Sequence, residues 1–242
     1  MVREYQIIVL HTIKCSNSGV VVQCYSNANG RESLFLRCSS KNGSKLSVFH
    51  KLNILDIVTT SNPKSNMATI KEYAQPYKLY SLRDDIYKNS ISLFISELLY
   101  KILKESEQNT TLYNYICSSI QILEHLNYGV ANFHLSFITH LCTIIGYKPI
   151  NNYSNINCRF NIRKGTFVED NTIYFLDKLI LSKEISQLIN LFLTTPTTNL
   201  ESIELHRDKR YHYINSIILY ISYHLGYDIE IKSLDILHQL FG

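Results

Sequence analysis

EYQIIVLHTIKCSNSGVVVQCYSNANGRESLFLR, residues 4–37, decides the fold. Its apolar segments EYQIIVLHTI, SGVVVQCY and RESLFLR are rich in Val, Ile, Leu and aromatic residues, which suit a pleated, half-buried surface. Between them stand Ser16-Asn17-Ser18-Gly19 and Asn27-Ala28-Asn29-Gly30, made of the residues that close hairpins. Two further segments, KLNILDIVTT (51–60) and MATIKEYA (67–74), repeat the pattern around the turn SNPKSN. Short strands with turn signals between them predict a small barrel or sandwich over the first 80 residues.

The OB-fold, a five-stranded barrel whose exposed face and loops bind oligonucleotides, is one such solution. Beyond Pro76 the apolar period changes from two to 3.6. Ile86, Ile91, Phe94, Ile95, Leu98, Leu99, Ile102 and Leu103 fall on one stripe of a helix, with Asp84 and Asp85 placed to cap it. Further helices are predicted over TLYNYICSSIQILEHL, over VANFHLSFITHLCTIIG, over LSKEISQLINLFL, from about Leu200 to Leu225, and over IKSLDILHQLF. Residues 147–173 read as irregular, with room for a short hairpin. The expected class is therefore α+β: a basic five-stranded barrel at 1–80, then an α-helical domain at 81–242 with an irregular insert near 147–173.

The net charge of +4 is unevenly spread. Residues 1–80 hold ten Lys and Arg against four Asp and Glu, a net +6, and residues 81–242 hold fourteen against sixteen, a net −2. A basic first third on a near-neutral remainder suits a polyanion-binding module joined to a packing or partner-binding module. No stretch approaches the roughly 18 consecutive apolar residues of a membrane span. The N-terminus lacks the long apolar run and small-residue site of a signal peptide, so a cytoplasmic, membrane-free protein is expected. Cys15, Cys24, Cys38, Cys117, Cys142 and Cys158 form no C-x-x-C pair, which favours free thiols over a zinc site.

Phosphate-binding loops, dinucleotide fingerprints, H-E-x-x-H and G-x-S-x-G are all missing from the sequence. His134 and His140 lie six apart, out of phase for a helical metal pair. No catalytic residue, metal or cofactor is assigned. Attention falls instead on GRESLFLRCSSKNGSKLSVFHKL, residues 30–52, where Arg31, Arg37, Lys41, Lys45 and Lys51 face the single anion Glu32. Cations that track phosphates and rings that stack on bases are what a single strand requires. The rings at hand are Tyr25, Phe35, Phe49, Tyr73 and Tyr77, though alternation alone does not say which is exposed. Arg159, Arg163 and Lys164, and then Arg207, Lys209 and Arg210, form a second cationic group in the helical part.

Several of these stretches resemble the bacterial recombination mediator family RecO, especially its Bacteroidetes-like members. The resemblance runs in order through IIVLHTIKCSNSGVVVQCYSNANG, LNILDI, YKNSISLFISELLYKIL, GVANFHLSFITHLCTIIGYKP with NNYS after it, and the ending IKSLDILHQLF. It implies an N-terminal OB-fold on a helical domain, without catalytic activity, that binds and anneals single-stranded DNA in recombinational repair. It implies as partners RecR, the acidic and apolar tail of single-stranded-DNA-binding protein, RecF, and RecA, whose loading the family assists. It also carries the DNA-binding role onto Arg31, Arg37, Lys41, Lys45 and Lys51. The basic run RCSSKNGSK is thinner than the family's usual one. The four zinc-binding cysteines of some members are reduced to Cys158, which leaves the insert to be held by packing of residues such as Phe160 and Phe167. The alternative is a protein-interaction adaptor whose basic β-domain takes an acidic partner rather than DNA.

Overall fold

Alternation of inward and outward side chains, interrupted at a few register shifts, builds the first part of the protein. The computed structural model describes residues 2–16, 19–38, 46–61, 67–170 and 177–241. Strands β1 (Val2–Ser16), β2 (Gly19–Ser26), β3 (Gly30–Arg37), β4 (Ile54–Thr60) and β5 (Thr69–Ala74) form a closed barrel in the order β1-β2-β3-β5-β4. All neighbours are antiparallel except β3 and β5, which meet in parallel with Phe35 opposite Thr69. This is the five-stranded OB barrel expected from residues 4–37. Ile7, Val9, Val22, Leu34, Leu36 and Ile57 fill its interior.

Three helices belong with the barrel. Helix α1 (Ser81–Asp84) is a single turn, and Asp85, in extended conformation, separates it from α2 (Ile86–Ile102). Asp85 caps α2 by accepting hydrogen bonds from the N–H groups of Tyr87 and Lys88, at 2.8 and 3.0 Å. Helix α3 spans Thr110–His125. Ile8 and Leu10 point out of the barrel, yet both are buried, because α2 lies along β1 and Ser96 donates its hydroxyl to the Leu10 carbonyl. Of the predicted α2 stripe, Ile91 through Leu103 are buried, while Ile86 is 59% exposed. It stands in the first turn, ahead of the part of α2 that meets the strand.

By packing, the chain divides into residues 1–125 and 126–242. The second unit contains α4 (Val130–Ile144), the hairpin of β6 (Asn157–Asn161) and β7 (Thr166–Glu169), α5 (Lys183–Thr194), α6 (Arg207–Leu225) and α7 (Ser233–Leu240). The insert is held by aromatic packing: Phe160 and Phe167 are buried with ring centroids 5.2 Å apart, and Tyr220 of α6 lies 5.4 Å from Phe160. Helix α6 starts at Arg207 rather than near Leu200. The Asn132 amide binds the carbonyls of Leu200 and Ile203, at 3.0 and 2.7 Å, and the chain there forms only a 3-10 turn, Thr197–Ser202. All six cysteines are free thiols, four of them buried. Among the described residues no helix is long and apolar enough to cross a membrane.

Candidate nucleic-acid interface

A β-bulge sets the chemistry of the barrel's outer face. The register of β1 on β2 passes from Val9 opposite Cys24 to His11 opposite Gln23, so Leu10 is the extra residue. Before the bulge the odd-numbered side chains of β1 point inward. After it they point outward, and His11 is re-aimed to the surface beside Gln23. On β3 the outward positions are Arg31, Ser33 and Phe35, paired with Tyr25, Gln23 and Val21. Glu32 points to the opposite side, where it accepts a hydrogen bond from Tyr5 at 3.1 Å. Alternation therefore separates the anion of residues 30–52 from its neighbouring cation.

His11 organises a line of positive groups. Its ring lies 5.3 Å from that of Tyr100 on α2, and the Arg31 guanidinium sits 4.7 Å over the same tyrosine. Arg31 also donates to the carbonyls of Cys24 and Glu32, both at 3.3 Å. Partial burial, then the charges of Lys51 and Arg31, hold the His11 imidazole below its ordinary pKa, with Glu97 opposing weakly. His50, next to Lys51, is depressed in the same way by partial burial and by Arg83. Arg31, His11, Lys51, His50 and Arg83 thus succeed one another closely enough for the imidazoles to feel the cations beside them. Such a line opposes protonation of its own histidines and attracts polyanions.

Of the five cations named from sequence, the structure brings Arg31 and Lys51 together around His11. Arg37 is exposed at the far end of β3, six residues and about 20 Å along the strand from Arg31. Lys41 and Lys45 lie outside the described residues. Of the rings, Tyr25 and Phe49 are buried, Tyr73 packs against the barrel core 4.9 Å from Phe49, and Tyr77 is 41% exposed. Phe35 lies half-buried on the outer face. It covers Gly19, where an added Cβ would stand 2.1 Å from its ring. A strand glycine shielded by an aromatic neighbour keeps that ring against the sheet.

His11, His50, Tyr100 and Arg83 were not apparent from sequence. A bulge inside an unbroken apolar run leaves no mark in the period-two pattern, and Tyr100 and Arg83 come from helical segments remote in sequence. Most of the second cationic group is engaged elsewhere. Arg159 and Lys183 both bind Asp170, Arg163 lies 3.6 Å from Asp177, and Lys209 lies 2.7 Å from Glu184. Arg210 is half-buried, donating to Asn132 at 3.0 Å with its guanidinium 6.0 Å from the Phe241 ring. Asp170 accordingly holds its carboxyl below the usual range, through hydrogen bonds from Lys183 and Arg159. His134 is a core residue stacked 5.8 Å from Phe241, and burial followed by the Arg210 charge lowers its pKa to about 3. Among the described residues no three His, Cys, Asp or Glu side chains converge as metal ligands would.

The family comparison agrees with this architecture. Residues 83–235 match the family described as Recombination protein O C terminal. Over 237 residues the chain is 30% identical to a DNA repair protein RecO of Phocaeicola vulgatus, covering 97% of each. It is 28% identical over 243 residues to the protein of that name from Azobacteroides pseudotrichonymphae, covering 100% of both. With the one from Porphyromonas gingivalis it shares 30% over 241 residues, or 97% of each. With a five-stranded barrel followed by helices, and similarity over nearly its whole length, the chain belongs to the RecO family, whose curated members carry the name DNA repair protein.

Proposed function

We propose that this protein is a non-catalytic mediator of recombinational DNA repair that binds single-stranded DNA on the outer face of its barrel. The observation that carries the proposal is the cluster of Arg31 and His11 around the Tyr100 ring on the outer face, with Lys51, His50 and Arg83 near it and the carboxylate of Glu32 turned away. Cations in series neutralise backbone phosphates, which lowers the repulsion between two complementary strands and allows them to anneal. RecR, RecF and RecA belong to this proposal as partners, together with single-stranded-DNA-binding protein, whose acidic, apolar tail requires an apolar pocket with a cation at its rim. We assign that tail to a groove of about 420 Å³ between α5 and α6, lined by Ile180, Ile185 and Leu219, where Lys209 would exchange its present partner Glu184, at 2.7 Å, for the acidic tail.

Fluorescence anisotropy of a labelled single-stranded oligonucleotide, titrated at increasing salt, tests the proposal. With Arg31, Arg37, Lys51 and Arg83 as phosphate contacts, log K should fall against log salt with a slope of about −3, at roughly 0.7 per contact. Charge reversal at Lys41 and Lys45 should weaken binding further. Absence of binding at low salt would leave the acidic-partner adaptor as the better account of the basic barrel.

A further inference from the structure

The single turn α1 buries Leu79 and Leu82, each 4% exposed, and turns Tyr80 and Arg83 to solvent, with Tyr80 64% exposed. Residues three apart share one side of a helical turn, which sets the Cβ atoms of Tyr80 and Arg83 about 5–6 Å apart on the same side. The turn is firmly seated. The Glu124 carboxylate accepts the N–H groups of Ser81 and Leu82, both at 2.9 Å. The buried Lys88 ammonium donates to the Ser81 hydroxyl at 2.7 Å and to the Glu124 carbonyl at 2.8 Å. A large exposed ring is thus held on a rigid base, which reduces the ordering cost of a ligand that stacks on it.

Two features indicate what that ligand is. Arg83 lies close enough to His50 to depress its pKa, and His50 adjoins Lys51, so the cation line of the barrel continues onto α1. Of the two neighbouring carboxylates, Asp85 is engaged in capping α2, while Asp84 stays exposed beside Arg83. A solvent-facing ring beside a cation, at the end of a row of cations, offers a base its face and a phosphate its charge.

We propose that Tyr80 and Arg83 form a subsite for the single-stranded polynucleotide bound along the barrel, Tyr80 stacking on a base and Arg83 holding an adjoining phosphate. The subsite rests on the proposed function and extends it beyond the barrel. Its test uses the full chain with labelled oligo(dT), and oligo(dT) carrying 5-iodouracil for photocrosslinking. Tyr80→Ala should weaken binding about five- to a hundredfold with the salt slope unchanged, as loss of one base stack does, and Tyr80→Phe should restore it. Arg83→Ala should flatten the slope by about 0.7. The crosslinked peptide should contain Tyr80, and the melting temperatures of the variants should match wild type. If the wild-type protein binds DNA but both alanine variants keep its affinity and slope, the subsite is overturned and the barrel interface stands. If the wild-type protein binds no oligonucleotide, both fall together.

Discussion

Two histidines beside a row of cations have their pKa values lowered, by partial burial first and by those cations next, so the proposed DNA binding should take up protons. Without DNA, His11 and His50 lie below the ordinary imidazole value of 6.5, through partial burial and the charges of Lys51, Arg31 and Arg83. Phosphates entering the row reverse the local potential and raise both values. A group whose pKa rises on binding strengthens the complex as pH falls through its bound value, and the gain is complete below its free value. An opposite charge within 4–6 Å moves a pKa by about 1–3 units. One unit for each imidazole, at about 1.4 kcal/mol per unit, makes binding roughly a hundredfold tighter once the pH is below both free values than at about pH 8, with at most two protons taken up. Anisotropy titrations across that range, with an oligonucleotide free of terminal phosphate, measure the slope. Calorimetry in two buffers of different ionisation enthalpy counts the protons. The double variant His11→Asn, His50→Asn should bind as wild type at high pH and lose the dependence. Affinity that stays flat with pH, or a dependence that survives in the double variant, would refute this account of the cation line.

Three further outcomes follow from the packing. Glu124→Ala removes the acceptor of two α1 N–H groups and a carboxylate whose charge favours the buried Lys88 ammonium. It should cost about 1–3 kcal/mol in urea unfolding for each N–H group left without its acceptor. Gly30 has φ +68°, and an added Cβ would meet the Glu107 carbonyl at 2.2 Å, so Gly30→Ala should destabilise by about 1–3 kcal/mol or more, read from the unfolding midpoint. His134, with a pKa of about 3 when folded, stays neutral while its unfolded counterpart charges below about 6.5. Its contribution should therefore fall by about 1.4 kcal/mol per pH unit from pH 6.5 toward 3, and the acid sensitivity should shrink in His134→Phe, as followed by circular dichroism.

The barrel was legible because each strand carries its own signal: β-branched runs, Asn-Gly turns and a Pro after the last strand. The helices were legible by period, and their ends came within a few residues wherever a cap or glycine marked them. The start of α6 escaped because the carbonyls of Leu200 and Ile203 are claimed by Asn132, some seventy residues earlier, a partner no local window contains. Ile86 fitted the stripe by spacing, yet it lies in the first turn of α2 and stays exposed. In the candidate site, composition pointed to the stretch 30–52, and two of its cations, Arg31 and Lys51, lie near His11 in the structure. Composition could not see that Leu10 bulges and turns His11 outward, or that a helical tyrosine would lie under both His11 and Arg31. Exposure of the rings was equally hidden, since Tyr25 and Phe35 read alike in sequence and differ only in what covers them.

The position of α2 along β1 bears on how the chain is made and how it can be cut. Translation releases the five strands first, with Ile8 and Leu10 already presented on the outside of the sheet. Until α2 has emerged, those two side chains face solvent, and the nascent barrel is a target for holding factors or for its own neighbours. A protease fragment or a genetic truncation ending near residue 80 would preserve that unfinished condition. One ending near residue 125 would carry its own cover, which makes it the better starting material for isolating the barrel's binding chemistry.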